Sequence, residues 1–139
     1  MRYWLFKSEP STWSWDQQVA KGDAGEEWDG VRNYQARNFM REMAVGDRGF
    51  FYHSQKEKSV VGIVEVCAEA HLDSTTDDDR WECVDIKAVA PILTPVTLDM
   101  IKADPRLADM VLVKNSRLSV QPVTEEEWNI ILALGGSQS

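Results

Sequence analysis

Cysteine, histidine and long hydrophobic runs are scarce in this sequence, and each shortage excludes a class of protein. The two cysteines, Cys67 and Cys83, have no CxxC spacing, which argues against a disulfide framework or metal site and predicts reduced, buried thiols. The apolar run in MRYWLFKSEP meets charge at Lys7 and Glu9 and is too short for a signal peptide or a membrane span. A cytoplasmic protein without a membrane partner is therefore expected.

Catalytic and cofactor-binding motifs are also missing. The sequence contains no GxSxG, HExxH, P-loop or GxGxxG pattern, and only His53 and His71 offer histidine bases. The acidic run TTDDDR lacks the glycine and the distal glutamate of a calcium loop. We therefore expect a binding protein rather than an enzyme, with no cofactor and no metal.

Basic residues are outnumbered, with 15 Lys and Arg against 23 Asp and Glu and a formal net charge of -8. This balance argues against a protein that grips duplex DNA through many phosphate contacts. The segment 30–59 is an exception, because it carries six basic residues and three acidic ones. Contact with phosphate is expected at that segment.

The composition otherwise describes a soluble globular domain. The chain has 139 residues, 43% of them hydrophobic, which suffices for one core and is too few for two large ones. No Pro, Gly or Ser tract and no short repeat interrupts it. A single domain over residues 1–139 is expected, with a monomer favoured.

Periodicity predicts a mixture of strands and helices. The aromatic stretch at 2–7 is apolar on both sides, as in a covered strand. Further strands are predicted at 48–54, 59–70, 81–90 and 117–123, with Pro91 and Pro95 ending the strand at 81–90. Helices are predicted to begin near Ser14 or Trp15 and after Asn33, Thr97 and Thr124. This pattern predicts an α+β domain, a small curved sheet or barrel with helices on its flanks.

Six tryptophans are many for this length. Trp4 and Trp128 lie in strongly apolar settings and are predicted to be core. The remaining four lie in or beside polar loops, where core and pocket are equally consistent: Trp13, Trp15, Trp28 and Trp81. An aromatic ring beside fixed donors and acceptors is what a pocket for a single base requires, because the ring stacks on the base and the polar groups read its edge.

The candidate site combines aromatic walls, polar contacts and cations. The walls are Trp15, Trp28 and Trp81, and the polar contacts are Lys7, Ser8, Asn33 and Ser54. Arg32 and Arg37 are expected to meet a flanking phosphate. The predicted ligand-binding set also includes Val31, Tyr52 and His53. A solvated turn is the alternative for Lys7 and Ser8, and a neutral strand-end histidine is the alternative for His53.

Five blocks in order closely resemble the EVE domain proteins, a small bacterial family related to thymocyte nuclear protein: YWLFKSEP, WDGVRNYQARN, FYHS, VGIVEV and RLSVQPVT. The resemblance runs from Tyr3 to Leu134 and implies a PUA-like fold, a small β-barrel with flanking helices. It also implies kinship with YTH domains, whose Lys-Ser pair matches Lys7 and Ser8 and whose cage tryptophan is similarly placed to Trp81. The GVRN here departs from the YTH pattern, which has a tryptophan in that region.

The resemblance implies a non-enzymatic nucleic-acid-binding module that recognises a modified nucleobase, with modified cytosine in DNA as the implied ligand. A second interpretation is a protein, or an enzyme, that takes a free nucleoside or small metabolite in the same pocket. The net charge of -8 favours this second interpretation because it discourages long polyanions. A third is an interaction module whose tryptophans are all core.

Overall fold

The computed structural model describes residues 1–136. Six strands form its sheet: β1 (Tyr3–Ser8), β2 (Glu26–Glu27), β3 (Arg48–His53), β4 (Ser59–Leu72), β5 (Glu82–Thr97) and β6 (Val120–Val123). The α-helices are α1 (Trp15–Ala20), α2 (Tyr34–Glu42), α3 (Leu98–Ala103), α4 (Val111–Lys114) and α5 (Glu125–Leu134), with 3-10 turns at Gly22–Ala24 and Pro105–Leu107. The predicted α+β class is confirmed.

Side-chain caps explain where the predicted helices begin. The Asn33 side chain accepts from the Ala36 amide at 2.9 Å at the start of α2. Capping boxes start α1 at Ser14 and α5 at Thr124, and Thr97 caps α3. Each cap satisfies an amide that has no partner within its helix. None of the described helices is long and apolar enough to cross a membrane.

The strand order is β2-β5-β4-β3-β1-β6. β1 runs parallel to β3, and the other pairs are antiparallel. β2 and β6 lie at the two ends, so within residues 1–136 the sheet stays open instead of closing as a barrel through backbone hydrogen bonds. Four register shifts between β4 and β5 mark bulges, which bend and twist these long strands.

The prediction that Pro91 and Pro95 end their strand is wrong, because β5 continues to Thr97. Pro91 lies opposite Gly62, and Val96 lies opposite Val60. Residues 92–95 therefore face a single residue of β4 and bulge out of the ladder. Pro95 lies within this bulge, where the missing amide is not needed for a ladder hydrogen bond, and Pro91 lies at its edge.

Alternate residues of the central strands separate two aromatic clusters on opposite faces of the sheet. On the face covered by α5, here the α5 face, Trp128 packs with Leu5 and Phe50. On the other face, here the α2 face, the buried aromatic residues are Trp4, Phe6, Trp15, Trp28 and Phe51. The predicted core positions of Trp4 and Trp128 are confirmed, with exposures of 0% and 1%.

Gly62 makes room for a tryptophan of the α2 face. A Cβ atom at this position would lie 2.4 Å from ring carbons of Trp15, so only glycine fits beneath that ring. The cysteines lie on neighbouring strands and are both free, with Cys83 buried and Cys67 only partly buried.

Candidate functional site

A cavity of about 610 Å³ opens beside the aromatic cluster of the α2 face, where β1 ends. This volume lies within the usual range of small-molecule sites. Three segments far apart in sequence supply its lining residues, which are Lys7, Ser8, Glu9, Thr12, Trp13, Glu26, Glu27, Trp28, Asp29, Gly30, Val31, Arg32 and Ser119.

Trp28 is one of the apolar residues of the lining. Its amide donates to the Val84 carbonyl at 2.8 Å, which fixes the backbone just after β2. The ring meets Phe6 and Phe51 edge-on, with centroids 5.4 and 5.7 Å apart, and the residue is 8% exposed. Trp28 is therefore anchored in the core and presents only a small part of its surface to the cavity.

Trp13 is a second aromatic lining residue, held by a chain of hydrogen bonds. Its indole Nε1 donates to the Gln18 Oε1 at 3.0 Å, and the Gln18 amide nitrogen donates to the Ile86 carbonyl at 3.0 Å. Gln18 is completely buried. Because each polar atom of this chain has a partner, the Trp13 ring keeps a defined orientation at the rim.

Lys7 and Ser8 bring hydrogen-bond donors to the end of β1. The Lys7 Nζ donates to the Ser116 carbonyl at 2.5 Å. Burial lowers the pKa of Lys7, because a desolvated ammonium group is less stable than a hydrated one. The Ser8 hydroxyl donates to the Trp13 carbonyl and so ties the rim to the strand.

The segment around β2 adds the carboxylates of Glu26, Glu27 and Asp29 to the lining. Partial desolvation raises the pKa of Asp29 although the residue is exposed, and repulsion by neighbouring carboxylates raises it further. Burial also acts to raise the pKa of Glu27, but hydrogen bonds from the Ser74 hydroxyl and amide and from the Cys83 thiol outweigh burial and lower the pKa. The cavity lining thus combines these acceptors with the Lys7 ammonium group.

Asp73, which is not a lining residue, holds the segment 28–32 in place through hydrogen bonds. Its Oδ2 accepts from the Gly30 amide at 2.9 Å and from the Arg32 Nη1 at 3.0 Å, and its Oδ1 accepts from the Thr75 amide at 2.8 Å. Asp73 is only 3% exposed. Burial raises its pKa, but the hydrogen bonds from Thr75, Gly30 and Arg32 outweigh burial and lower the pKa to about 2. Gly30 has φ of 76°, a conformation that glycine adopts without strain.

Five of the twelve predicted ligand-binding residues line the cavity, namely Lys7, Ser8, Trp28, Val31 and Arg32. Two others lie outside the lining and serve the fold. The buried Trp15 ring packs against Phe51 at 5.4 Å between centroids, and the side chain of Asn33, an exposed residue, caps α2. Their polar and aromatic groups are used by the fold itself.

Three predicted residues lie at and just after the end of β3, beside Lys7 and Ser8 of the neighbouring β1: Tyr52, His53 and Ser54. The Lys7 Nζ lies 5.9 Å from the centroid of the Tyr52 ring, and burial raises the pKa of Tyr52 to about 12. The His53 Nε2 accepts from the Trp15 amide at 3.0 Å, so its proton is on Nδ1, which faces Glu57. The Ser54 amide donates to the Ser8 carbonyl at 2.9 Å. These contacts position the end of β1.

The last two predicted residues, Trp81 and Arg37, lie outside the cavity lining. Trp81 stacks on Tyr34 with centroids 4.8 Å apart. Arg37 lies over the other ring of this pair, 4.8 Å from the centroid of Tyr34. Arg32, which also lines the cavity, lies over Trp81 at 5.4 Å. The cavity rim and this outer surface are therefore continuous.

Sequence reasoning missed the acidic part of the lining and the role of Asp73. A local signal exists for the carboxylates, since Glu26, Glu27 and Asp29 immediately flank Trp28 in EEWD. No local signal exists for Asp73, because its partner Gly30 is 43 positions away along the chain.

Glu27 also belongs to a polar cluster with His71 and Cys83, whose donor atoms lie within 4.8 Å of one another. The two ring nitrogens of His71 face oxygens, with Nε2 2.8 Å from the Asp85 Oδ1 and Nδ1 3.0 Å from the Leu72 carbonyl. The hydrogen bond to Asp85 raises the pKa of His71, and burial, with Glu27 second, raises the pKa of Cys83. The cluster is therefore a hydrogen-bonded network in which the His71 ring nitrogens and the Cys83 thiol face oxygen atoms.

The six-stranded mixed sheet and its flanking helices are consistent with the PUA-like fold that the family resemblance implies. The EVE domain profile matches residues 2–134. The chain therefore belongs to the EVE domain family, and the resemblance drawn from its five sequence blocks is confirmed.

Relatives and solved structures agree with this assignment. The chain is 36% identical to mouse thymocyte nuclear protein 1, covering 95% of this chain and 73% of that protein. A crystal structure of an Agrobacterium tumefaciens protein superposes with a TM-score of 0.97 at 59% identity, covering 99% of this chain and 94% of the other. The human THYN1 protein, in complex with 5-methylcytosine containing DNA, superposes with a TM-score of 0.92 at 33% identity over 100% of both chains.

Proposed function

We propose that this chain is a non-enzymatic nucleic-acid-binding module whose cavity holds a single unstacked, modified nucleobase, with modified cytosine in DNA as its ligand. The observation that carries the proposal is the cavity lining, which combines Trp28 with a lysine and four carboxylates. The structure of human THYN1 with 5-methylcytosine containing DNA supports the choice of ligand.

The lining matches the hydrogen-bonding edge of cytosine. Cytosine presents an exocyclic amine that donates, which a carboxylate accepts, and a carbonyl oxygen and ring nitrogen that accept. In this assignment Glu27 or Asp29 receives the amine, and Lys7 donates to an acceptor. Thymine offers an acceptor where cytosine offers the amine, so the same carboxylates would repel it.

The energetics predict weak binding to unmodified DNA. Drawing a base out of a duplex costs a few kcal/mol, which a single aromatic stack of about 1 to 3 kcal/mol roughly offsets. A methyl group in a fitted apolar pocket adds about 1 to 3 kcal/mol, or about ten- to two-hundredfold in affinity. The discrimination between modified and unmodified cytosine should lie within this range.

Fluorescence anisotropy tests the proposal with single-stranded oligonucleotides that differ only at one central cytosine, which is unmodified, methylated or hydroxymethylated. At low salt, the methylated strand is expected to bind at least about tenfold more tightly than the unmodified one. Equal affinities for all three strands would contradict the modified-base assignment.

A matched pair of variants tests the acidic lining. Asp29→Ala removes an exposed carboxylate that lines the cavity, and Asp23→Ala removes an exposed carboxylate of the turn at Gly22–Ala24, outside the lining. Both variants change the net charge equally, so any general effect on a polyanion is shared. D29A should lose about tenfold in affinity for the methylated strand relative to D23A. Equal affinities would remove Asp29 from the site.

A free nucleoside or small metabolite is the second candidate ligand for the same cavity. The net charge of -8 and the carboxylates of the lining support it, because both disfavour a long polyanion. A thermal-shift screen of nucleosides and small anions separates the two candidates. Strong stabilisation by a free nucleoside without any oligonucleotide binding favours this second one.

A further inference from the structure

A layered stack of arginines and aromatic rings borders the cavity at Arg32. Tyr34 and Trp81 stack with an interplanar angle of 23° and each cover one face of the other. Arg32 lies over Trp81 and Arg37 lies over Tyr34. We call this group, with Arg80, the arginine–aromatic ledge. Its order from the cavity outward is Arg32, Trp81, Tyr34 and Arg37.

Hydrogen bonds fix the outer end of the ledge. The Arg37 Nη1 donates to the Arg80 carbonyl at 2.8 Å, and the Arg80 Nη1 donates to the Tyr34 hydroxyl at 3.3 Å. Tyr34 is 49% exposed, so the packing that holds these guanidinium groups lies at the surface. Planar guanidinium groups held in this way are pre-organised for an anion with several oxygens, since little side-chain entropy remains to be lost.

The three arginines differ in how their charge is balanced. Arg32 pairs with Asp73 at 3.0 Å, and Arg80 pairs with Asp78 at 2.5 Å. Arg37 hydrogen-bonds to neutral groups, the Asn38 Oδ1 at 2.7 Å and the Arg80 carbonyl. Within residues 1–136 it forms no ion pair with a carboxylate. In a chain with net charge -8, Arg37 is thus a cation that is held in place and whose charge no carboxylate among residues 1–136 neutralises through an ion pair. It is therefore available to pair with an anionic ligand.

We propose that the ledge binds the backbone phosphate of the nucleotide adjacent to the base in the cavity, with Arg37 as the phosphate contact and the Tyr34–Trp81 stack as its support. This inference rests on the proposed function, since the cavity supplies the neighbouring base. Arg32 belongs to both places, because it lines the cavity and lies over Trp81. A strand leaving the cavity past Arg32 therefore runs along the Trp81–Tyr34 stack and reaches Arg37 at its outer end.

The test compares three variants on a single-stranded oligonucleotide and on free 5-methyl-2′-deoxycytidine. Arg37→Ala removes the proposed contact, Arg37→Lys keeps its charge, and Arg106→Ala removes an exposed arginine of the turn at Pro105–Leu107, outside the ledge. Affinity is measured as a function of salt, and thermal melts confirm that each variant folds.

R37A is expected to weaken oligonucleotide binding several-fold more than R106A and to reduce the salt slope by about 0.7, the value for one lost phosphate contact on a single strand. R37K should also bind more weakly than the wild type, because lysine cannot stack flat on Tyr34. Nucleoside binding and the preference for methylated cytosine should not change in any of the three.

Three results overturn the ledge proposal: R37A binding no more weakly than R106A, R37K binding as tightly as the wild type, or a wild-type chain that binds no oligonucleotide. The proposed function has a separate readout, the ratio of affinities for methylated and unmodified strands in the wild type. A ratio of one with a reduced R37A slope refutes the base assignment and leaves the ledge as a phosphate contact.

Discussion

Trp128 and Trp28 pack on opposite faces of the same sheet, and they are covered in different ways. Trp128 is stacked between Phe50 at 4.0 Å and Tyr3 at 4.4 Å, and it is 1% exposed. Its indole nitrogen is buried without a hydrogen-bond partner among residues 1–136. Trp28 meets its neighbours edge-on, is 8% exposed and lines the cavity.

The difference comes from the segment that covers each face. The ten-residue α5 satisfies its own backbone and places four buried apolar side chains on the sheet, among them Trp128. The chain around Trp28 is a two-residue strand followed by an irregular turn, so polar groups lie beside the ring. The helix α5 covers the apolar surface of its face, whereas the irregular segment around Trp28 leaves part of its face accessible in the cavity. Stability should therefore depend most on the α5 face and ligand binding on the α2 face.

Replacing Trp128 should have the largest effect on stability. Trp128→Ala removes a ring enclosed on both sides, and we expect a loss of about 3 to 5 kcal/mol in the free energy of unfolding. Urea denaturation measures the loss, and anisotropy on the folded fraction should show unchanged ligand affinity. A loss below about 1 kcal/mol in the free energy of unfolding would contradict the interpretation that α5 fully covers this face of the sheet.

Replacing Trp28 should cost less stability and more binding. Trp28→Ala enlarges a cavity that already exists, so we expect a loss of about 2 to 3 kcal/mol. Affinity for the methylated oligonucleotide should fall at least about tenfold, because one of the two aromatic rings of the lining is gone. If W28A destabilises the fold more than W128A and binds normally, the contrast between the two faces is wrong.

Asp73 provides a pH test of the turn that shapes the α2 face. Its pKa is lowered from 3.8 to about 2, so its stabilisation is complete above about pH 4 and is lost as the pH falls toward 2. Between pH 5 and pH 2 the wild type should lose about 2 kcal/mol more than Asp73→Asn, at 1.36 kcal/mol per pKa unit. Urea denaturation at several pH values measures the difference. Asp23→Asn is the reference, because Asp23 is exposed in the turn at Gly22–Ala24, and an equal change in both variants argues against the buried clamp.

His71, behind the acidic lining, should have the smallest effect. Its pKa is raised, with the Asp85 hydrogen bond as the main cause. The resulting stabilisation is complete below the unfolded pKa of about 6.5 and is lost as the pH rises through the folded pKa. Its side chain is 39% exposed, so water screens the interaction. From pH 6 to pH 9 the wild type should lose slightly more thermal stability than His71→Gln. If the thermal stability of the two proteins changes equally with pH, the His71–Asp85 ion pair does not contribute to stability.

Features that depend on near neighbours could be predicted from the sequence. Asn33 and Thr124 cap helices because their side chains reach amides three residues ahead. The strand at β1 was predictable because Trp4, Leu5 and Phe6 are apolar on both sides of the chain. The prediction failed at Pro91 and Pro95, because the strand continues through a bulge that begins after Pro91 and contains Pro95.

By itself, then, the sequence determined the helix starts, the central strands, the two core tryptophans and the family. The tertiary structure alone decided which of the other aromatic and charged residues meet. Lys7 reaches Ser116 across 109 positions, and Asp73 holds Gly30 across 43. Trp15 and Trp28 occupy similar sequence settings, yet one lies over Gly62 in the core and the other lines the cavity. Sequence patterns report contacts within a few residues, whereas a cavity is made by segments that only folding brings together.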